Sequence, residues 1–166
     1  MPGHSFQPNK NLPQHSTAHH GAINYKEMAS LGLDPNNILD FSTNVNPYGP
    51  PTIIREIISV INPSPYPDRD SIVIRKVLSK QHDLDINQIL AGNGTAELIW
   101  MINFSFLNQG DKVLILDPTF GEYQRCASLM GAEVHFLTAS PVNNFALEIE
   151  KLEQSLHNLK PKLCFI

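Results

Sequence analysis

The stretch ILAGNGTAE at residues 89–97 determines the fold class, because it joins an apolar, strand-like run to two glycines and the start of a helix. The segments that follow alternate between short apolar runs and amphipathic runs of helix length, up to residue 166. Alternating strands and helices are typical of a parallel sheet with right-handed crossovers. The sequence therefore predicts an α/β fold with an irregular N-terminal arm, followed by the first part of a mainly parallel sheet with flanking helices.

Hydrophobic periodicity predicts the individual elements. Upstream of the glycines, helices are expected over 52–61, where five isoleucines share one face, and over 71–81. Two similar stretches each contain an aspartate that is expected to cap one short helical turn, Asp34 and Asp85. Downstream, the predicted strands are 89–91, 113–117, 134–137 and 163–166, and the predicted helices are 96–107, 120–130 and 147–156.

The chain divides by composition into three predicted parts. Residues 1–20 are polar and are expected to form a flexible tail. Residues 21–88 are rich in proline and are predicted to be an N-terminal arm with elements of a small domain. Residues 89–166 are predicted to be the first part of a larger α/β domain. This domain is expected to be truncated, because the sequence ends within the apolar run 163–166 and a central parallel strand needs a neighbour on both sides.

The composition is that of a folded globular protein and excludes several classes of function. The 166 residues are 42% apolar and 17% charged, with a net charge of −4 and no stripe of Lys and Arg, so nucleic acid is not expected as a partner. No apolar run reaches the roughly 18 residues of a membrane span, and the N-terminus lacks the apolar stretch of a signal peptide. A cytoplasmic protein without a membrane partner is expected. Cys126 and Cys164 are predicted to be reduced thiols packed in a helix and a buried strand, and no metal site is predicted.

The glycine turn at Gly94, Thr95 and Ala96 is the strongest candidate binding site. The first backbone N–H groups of a helix have no intrahelical partner and attract a phosphate, and Thr95 adds a hydroxyl donor. A dinucleotide site would carry a third glycine where Glu97 stands, and its carboxylate would crowd a pyrophosphate. Asp117 lies about 20 positions further on, as a dinucleotide site requires, so a nucleotide- or adenosylmethionine-binding domain stays an alternative.

Two further stretches are candidates for ligand contacts. DPTFGEY at 117–123 follows a predicted strand and is expected to bring Phe120 to the carboxyl edge of the sheet, where its ring can stack on a planar heterocycle. DFSTNVNPYGPP at 40–51 gathers small polar side chains in a segment that its prolines keep extended. This second stretch is predicted to be a ligand-facing loop.

Taken in order, these motifs resemble the pyridoxal-phosphate enzymes of aminotransferase fold type I. The resemblance runs through HG at 20–21, DFSTNVNPYGPP at 40–51, YPD at 66–68, GNGTAE at 92–97 and DPTFGEY at 117–123. It is closest to the branch of histidinol-phosphate aminotransferases and threonine-phosphate decarboxylases. The form of the loop at 40–51, with Val45 between its asparagines, is more similar to the decarboxylases of cobalamin biosynthesis, whereas Tyr48 is similar to the aminotransferases.

The resemblance implies a cofactor, a substrate class and a dimer. Pyridoxal 5′-phosphate would be held by the backbone of Gly94, Thr95 and Ala96 and would stack on Phe120. Tyr66 would reach the cofactor phosphate of a neighbouring subunit in a homodimer. The phosphate or carboxylate of a phosphorylated amino acid would meet three residues of the N-terminal arm, His20, Gly21 and Asn44.

The resemblance also implies that a catalytic group is absent from this sequence. In the family, a lysine carries the cofactor and lies downstream of the strand at 163–166, and no lysine of this chain stands in the matching context. The 166 residues alone are therefore expected to be inactive. A non-catalytic interaction protein remains the other alternative.

Overall fold

A computed structural model describes residues 21–166. The predicted tail and His20 lie outside the described residues. The described chain forms two compact units, residues 21–91 and 92–166, and each is treated by itself. No helix in the described part of the chain is both long and apolar enough to cross a membrane.

Residues 21–91 form three helices, α1 (Tyr25–Leu31), α2 (Thr52–Val60) and α3 (Ile72–His82). The periodicity predicted α2 and α3 to within one residue at each end. The periodicity did not predict α1. The local signals of this helix are at its two ends. At the N-terminus, Asn24 accepts a hydrogen bond from the Glu27 N–H at 3.1 Å, and at the C-terminus Gly32 adopts the left-handed conformation.

Short capped turns connect these helices. Asp34 caps a 3₁₀ turn at Pro35–Asn37, and Asp85 caps another at Ile86–Gln88, which confirms both predicted turns. Arg75 of α3 donates to the Ile86 carbonyl at 2.8 Å and so fastens α3 to the second turn. None of residues 21–91 is buried, so this unit is held together mainly by local hydrogen bonds.

Residues 92–166 form a three-stranded parallel sheet with helices between the strands, as predicted for an α/β fold. The elements in chain order are α4 (Thr95–Phe106), β1 (Lys112–Asp117), α5 (Glu122–Leu129), β2 (Glu133–Thr138), α6 (Ile149–Leu159) and β3 (Leu163–Phe165). The strand order is β2-β1-β3, and Ile115 of β1 lies between Phe136 of β2 and Phe165 of β3. Val113 and Ile115 are fully buried in the core with Leu107 and Ala127.

Several sequence predictions for this part of the chain need correction. Residues 89–91 join no ladder of the described chain, in which the sheet consists of β2, β1 and β3. Helix α5 begins at Glu122 rather than at residue 120, since Phe120 and Gly121 form the turn that precedes it. Cys126 is buried as predicted, but Cys164 is exposed, because β3 is an edge strand of the described sheet and Leu163 and Phe165, not Cys164, pack against the core.

Candidate functional site

The start of α4 has the backbone geometry of an anion site. Gly94 precedes the helix with φ 83° and ψ 171°, a conformation that is essentially restricted to glycine. Thr95 and Ala96 begin the helix and are exposed, and their N–H groups lie in the first turn, where helix geometry provides no backbone partner. No atom lies within 4 Å of the position that a Cβ on Gly94 would take, so the space before the helix is open.

The other glycine of the motif, Gly92, leaves room for the side chains of Glu97 and Leu98 rather than for a ligand. A Cβ there would lie 2.9 Å from a carboxylate oxygen of Glu97 and 2.9 Å from Leu98. The same oxygen of Glu97 accepts hydrogen bonds from the backbone N–H of Asn93 and from its side-chain amide. Glu97 is therefore tied to the Gly92 side of the turn, and the open side at Gly94 is left to the helix N–H groups.

Phe120 is held by an aromatic series that ends in the sheet. Its ring meets Tyr123 edge-on at 6.0 Å between centroids, and Tyr123 stacks on Phe165 of β3 at 4.5 Å. Phe120 itself is 39% exposed, so part of its ring is available to a ligand. Because β1 ends at Asp117, Phe120 lies beside the carboxyl edge of the sheet, as predicted.

A buried carboxylate at the start of α5 connects this helix to Trp100 of α4. Glu122 is only 3% exposed, and its two oxygens accept from the indole N–H of Trp100 and from the Arg125 guanidinium, each at 3.1 Å. Trp100 follows Thr95 by five positions, and Glu122 follows Phe120 by two. The Trp100–Glu122 hydrogen bond thus joins α4 to the start of α5 within this unit. The sequence analysis gave no role to Trp100 or Glu122, and no local pattern marks them.

The neighbouring thiol stays protonated. Burial, together with the charge of Glu122, raises the pKa of Cys126 to about 12. Its sulfur lies 3.9 Å from a Glu122 oxygen and donates to it. Cys126 therefore acts here as a buried donor and not as a nucleophile.

The loop at 40–51 is organised around Asp40. Its carboxylate accepts from the Ser42 hydroxyl at 2.6 Å, from the Ser42 N–H at 2.7 Å and from the Thr43 hydroxyl at 2.5 Å. These donors, the Ser42 hydroxyl first, hold the pKa of Asp40 below its usual value. Asn46 closes the second half of the loop by donating to the Gly49 carbonyl at 3.0 Å.

The predicted substrate residues Gly21 and Asn44 belong to this loop region. A Cβ on Gly21 would lie 1.7 Å from the Ser42 carbonyl oxygen, so the Gly21 backbone lies directly against the loop. Asn44, two residues further along, is exposed. An open cavity of about 480 Å³ lies beside this contact, with polar side chains of Asn24, Asp40 and Ser42 in its lining. Tyr66, in the same unit, is 99% exposed.

The described chain is similar in fold to part of the fold type I aminotransferases, a known class of enzymes. One of these, histidinol-phosphate aminotransferase from Sinorhizobium meliloti solved in complex with pyridoxal-5′-phosphate, is similar with a TM-score of 0.62. The similarity covers 70% of this chain and 32% of that chain at 13% sequence identity, which supports the fold alone.

The family follows from the sequence comparisons. The family model "Aminotransferase class I and II" matches residues 36–166, and the chain belongs to this family. It is 35% identical over 137 residues to a chloroplastic histidinol-phosphate aminotransferase of Nicotiana tabacum, covering 82% of this chain and 33% of the relative. It is 34% identical over 122 residues to threonine-phosphate decarboxylase of Salmonella typhimurium, covering 72% of this chain and 32% of the relative. The chain thus spans about a third of the length of these relatives.

Proposed function

We propose that the protein functions as a pyridoxal-phosphate-dependent enzyme acting on a phosphorylated amino acid. The observation that carries this proposal is the turn at Gly94, where a backbone conformation restricted to glycine opens space before the N-terminus of α4. A phosphate fits this space, because the first N–H groups of the helix supply donors and a partial positive charge. The half-exposed ring of Phe120 fits a planar heterocycle.

Each predicted residue then has one task in binding. The backbone N–H groups of Thr95 and Ala96 donate to the cofactor phosphate, and Phe120 stacks on the ring. Pyridoxal phosphate, when bound, supplies a conjugated ring that delocalises negative charge from a substrate carbon. The protein is a homodimer in this proposal, and the exposed Tyr66 reaches the phosphate bound by the neighbouring subunit.

The substrate's phosphate or carboxylate is held by the N-terminal arm. Gly21 gives the chain room to pass close to the Ser42 carbonyl, and Asn44 presents its amide from the same loop. The network around Asp40 fixes the loop before the ligand arrives and so lowers the entropic cost of binding.

Among reactions of this class, we favour decarboxylation of threonine phosphate, as in cobalamin biosynthesis. The form of the loop at 40–51, with Val45 between Asn44 and Asn46, supports this assignment. A histidinol-phosphate aminotransferase is the second candidate. It is supported by the 35% identity over 137 residues to the Nicotiana enzyme, against 34% over 122 residues for the decarboxylase. The lysine that carries the cofactor is not among residues 1–166 in this proposal, so these residues alone are inactive.

The decisive experiment uses the protein made from its complete reading frame. The purified protein is supplied with pyridoxal phosphate and assayed for carbon dioxide release from O-phospho-L-threonine. It is also assayed for amino transfer from histidinol phosphate to a 2-oxo acid. Carbon dioxide release supports the decarboxylase, and amino transfer alone supports the second candidate. A folded protein that does not bind pyridoxal phosphate would refute both.

A further inference from the structure

Four side chains between α4 and α5 form a closed polar cluster that the binding roles proposed above do not use. Glu122 accepts from Trp100, from Arg125 and from the thiol of Cys126. The Arg125 guanidinium also lies 6.0 Å from the centre of the Trp100 ring, within range of a cation–π contact. The cluster thus connects α4 and α5 through a carboxylate that water hardly reaches.

We infer that Trp100 and Glu122 are positioning residues that keep the phosphate-binding turn at Thr95 and the stacking ring of Phe120 at the spacing of a single ligand. This inference rests on the proposed function. In this inference neither residue contacts the ligand. They influence binding by holding α4, which begins at Thr95, against α5, which follows Phe120.

The short connections from the cluster to the two binding elements support the inference. Trp100 lies five positions after Thr95 in the same helix, which corresponds to a rise of roughly 7.5 Å. At the other end, Glu122 is the first residue of α5, and only Gly121 separates it from Phe120. The ring of Phe120 also contacts Tyr123 of α5. Phe120 is therefore connected to α5 both by the chain through Gly121 and by this ring contact.

The chemistry of the cluster favours one arrangement over others. A buried carboxylate is stable only when its oxygens have partners, and removing one partner leaves an unsatisfied buried group. Arg125 supplies the compensating charge to one oxygen of Glu122, and the Trp100 indole supplies a donor to the other. Sliding α4 along α5 would break the second bond. The cluster therefore fixes the relative position of the two helices more narrowly than apolar contact would.

The test compares pyridoxal phosphate, which is proposed to contact both the start of α4 and Phe120, with inorganic phosphate, which is proposed to contact only the start of α4. Dissociation constants of pyridoxal phosphate and of inorganic phosphate are measured by equilibrium dialysis on the protein made from its complete reading frame. Trp100→Phe removes the indole donor and keeps an aromatic ring, and Glu122→Met removes the carboxylate acceptor and keeps an unbranched side chain of similar length. Both are expected to weaken pyridoxal phosphate about tenfold and inorganic phosphate less than about twofold, because inorganic phosphate needs only the start of α4.

Two further variants separate positioning from general stability. Glu122→Gln keeps an acceptor for the indole and should restore most of the affinity for pyridoxal phosphate. Asp111→Asn removes the 2.9 Å bond to Lys162 at the opposite end of β1 and should lower stability without changing either dissociation constant. If either Trp100→Phe or Glu122→Met does not fold, the other decides the outcome.

The outcomes distinguish the inference from the proposed function. If the unaltered protein does not bind pyridoxal phosphate, the proposed function fails. If it binds and the folded variants bind equally well, or lose both ligands to the same extent, the inference fails and the proposed function stands.

Discussion

The two units of this chain are stabilised in different ways. In residues 92–166, Ile115 of β1 has no exposed surface and lies between two other strands. In residues 21–91, the isoleucines of α2 are exposed, Ile58 to 65%. Helix α1 and the two 3₁₀ turns of this unit each begin with a side-chain cap. Burial is a collective effect of many residues, whereas a cap depends on a few neighbouring atoms. A single substitution in the core of residues 92–166 should therefore affect that whole unit, whereas a substitution in residues 21–91 should act only locally.

The same contrast separates the residues proposed for cofactor binding from those proposed for substrate binding. The cofactor residues Thr95 and Phe120 belong to the unit with the buried core, and the substrate residues Gly21 and Asn44 belong to the unit without one. A cofactor that is held through many reactions needs rigid contacts, and a loop that meets successive substrates needs fewer. Changes in the two units should accordingly be separable by experiment.

The largest difference is expected from one substitution made in both units. Ile115→Ala should lower the free energy of unfolding by about 2–5 kcal/mol, because it leaves a cavity in the core. Ile58→Ala should change it by less than about 0.5 kcal/mol, because the side chain is exposed and alanine favours helix. Urea denaturation of the protein made from its complete reading frame measures both values. An equal loss at Ile58 would contradict the comparison and would mean that the isoleucine face of α2 is covered.

A pair of glycines tests whether the Gly94 turn is specific to binding. Gly94→Ala and Gly110→Ala both place a Cβ in open space at positive φ, 83° and 85°. Each should cost about 1–3 kcal/mol in backbone strain. Only Gly94→Ala should also weaken pyridoxal phosphate, since Gly110 precedes the amino end of β1. Equal affinities of the two variants in a dialysis experiment would refute the assignment of the phosphate to this turn.

A second pair of glycines addresses the loop of the other unit. Gly21→Ala forces a Cβ against the Ser42 carbonyl, so the loop must move, at a cost of about 1 kcal/mol. Gly32→Ala introduces a positive-φ alanine at the end of α1, with nothing nearby to displace, at a similar cost. Hydrogen exchange followed by mass spectrometry should show faster exchange over 40–51 in Gly21→Ala alone. Slow exchange in both variants would show that the loop does not depend on Gly21.

The smallest expected effects are separate changes in the pKa values of Asp40 and Asp111 when one hydrogen-bond partner of each is removed. The pKa of Asp40 is lowered mainly by the Ser42 hydroxyl, and that of Asp111 mainly by Lys162. A carboxylate with a lowered pKa stabilises the fold above its usual pKa of about 3.9, and this contribution is lost as the pH falls through the lowered value.

Carboxyl carbon NMR titration measures both groups in one sample. Ser42→Ala should raise the pKa of Asp40 alone, and Lys162→Met should raise that of Asp111 alone. A shift of both groups in either variant would show that the two units are electrostatically coupled.

Local chemistry in the sequence was sufficient to predict the local parts of the fold. The turns after Asp34 and Asp85 were predicted because a cap involves only neighbouring residues. The turn at Gly94 was predicted for the same reason. The local sequence could not show whether residues 89–91 pair in the sheet, because strand pairing depends on strands that occur later in the chain.

The residues that were missed depend on distant contacts. Glu122 lies within the motif at 117–123, but its hydrogen-bond partner Trp100 lies 22 residues earlier. The exposure of Cys164 depends on which face of β3 packs on the core, and an apolar run of three or four residues does not encode this. The tasks assigned to Thr95, Phe120 and Asn44 stay predictions until ligands are tested.

The strand order β2-β1-β3 has a consequence for the protein as it leaves the ribosome. β1 is the most deeply buried strand of the described sheet and is synthesised before both of its neighbours. At roughly 5–20 residues per second, β3 follows the end of β1 by about 2–9 s, and one edge of β1 is unpaired throughout this interval. The nascent chain should bind chaperones most strongly in that window. Slower translation between β1 and β3 should then lower the yield of folded protein more than the same delay introduced before α4.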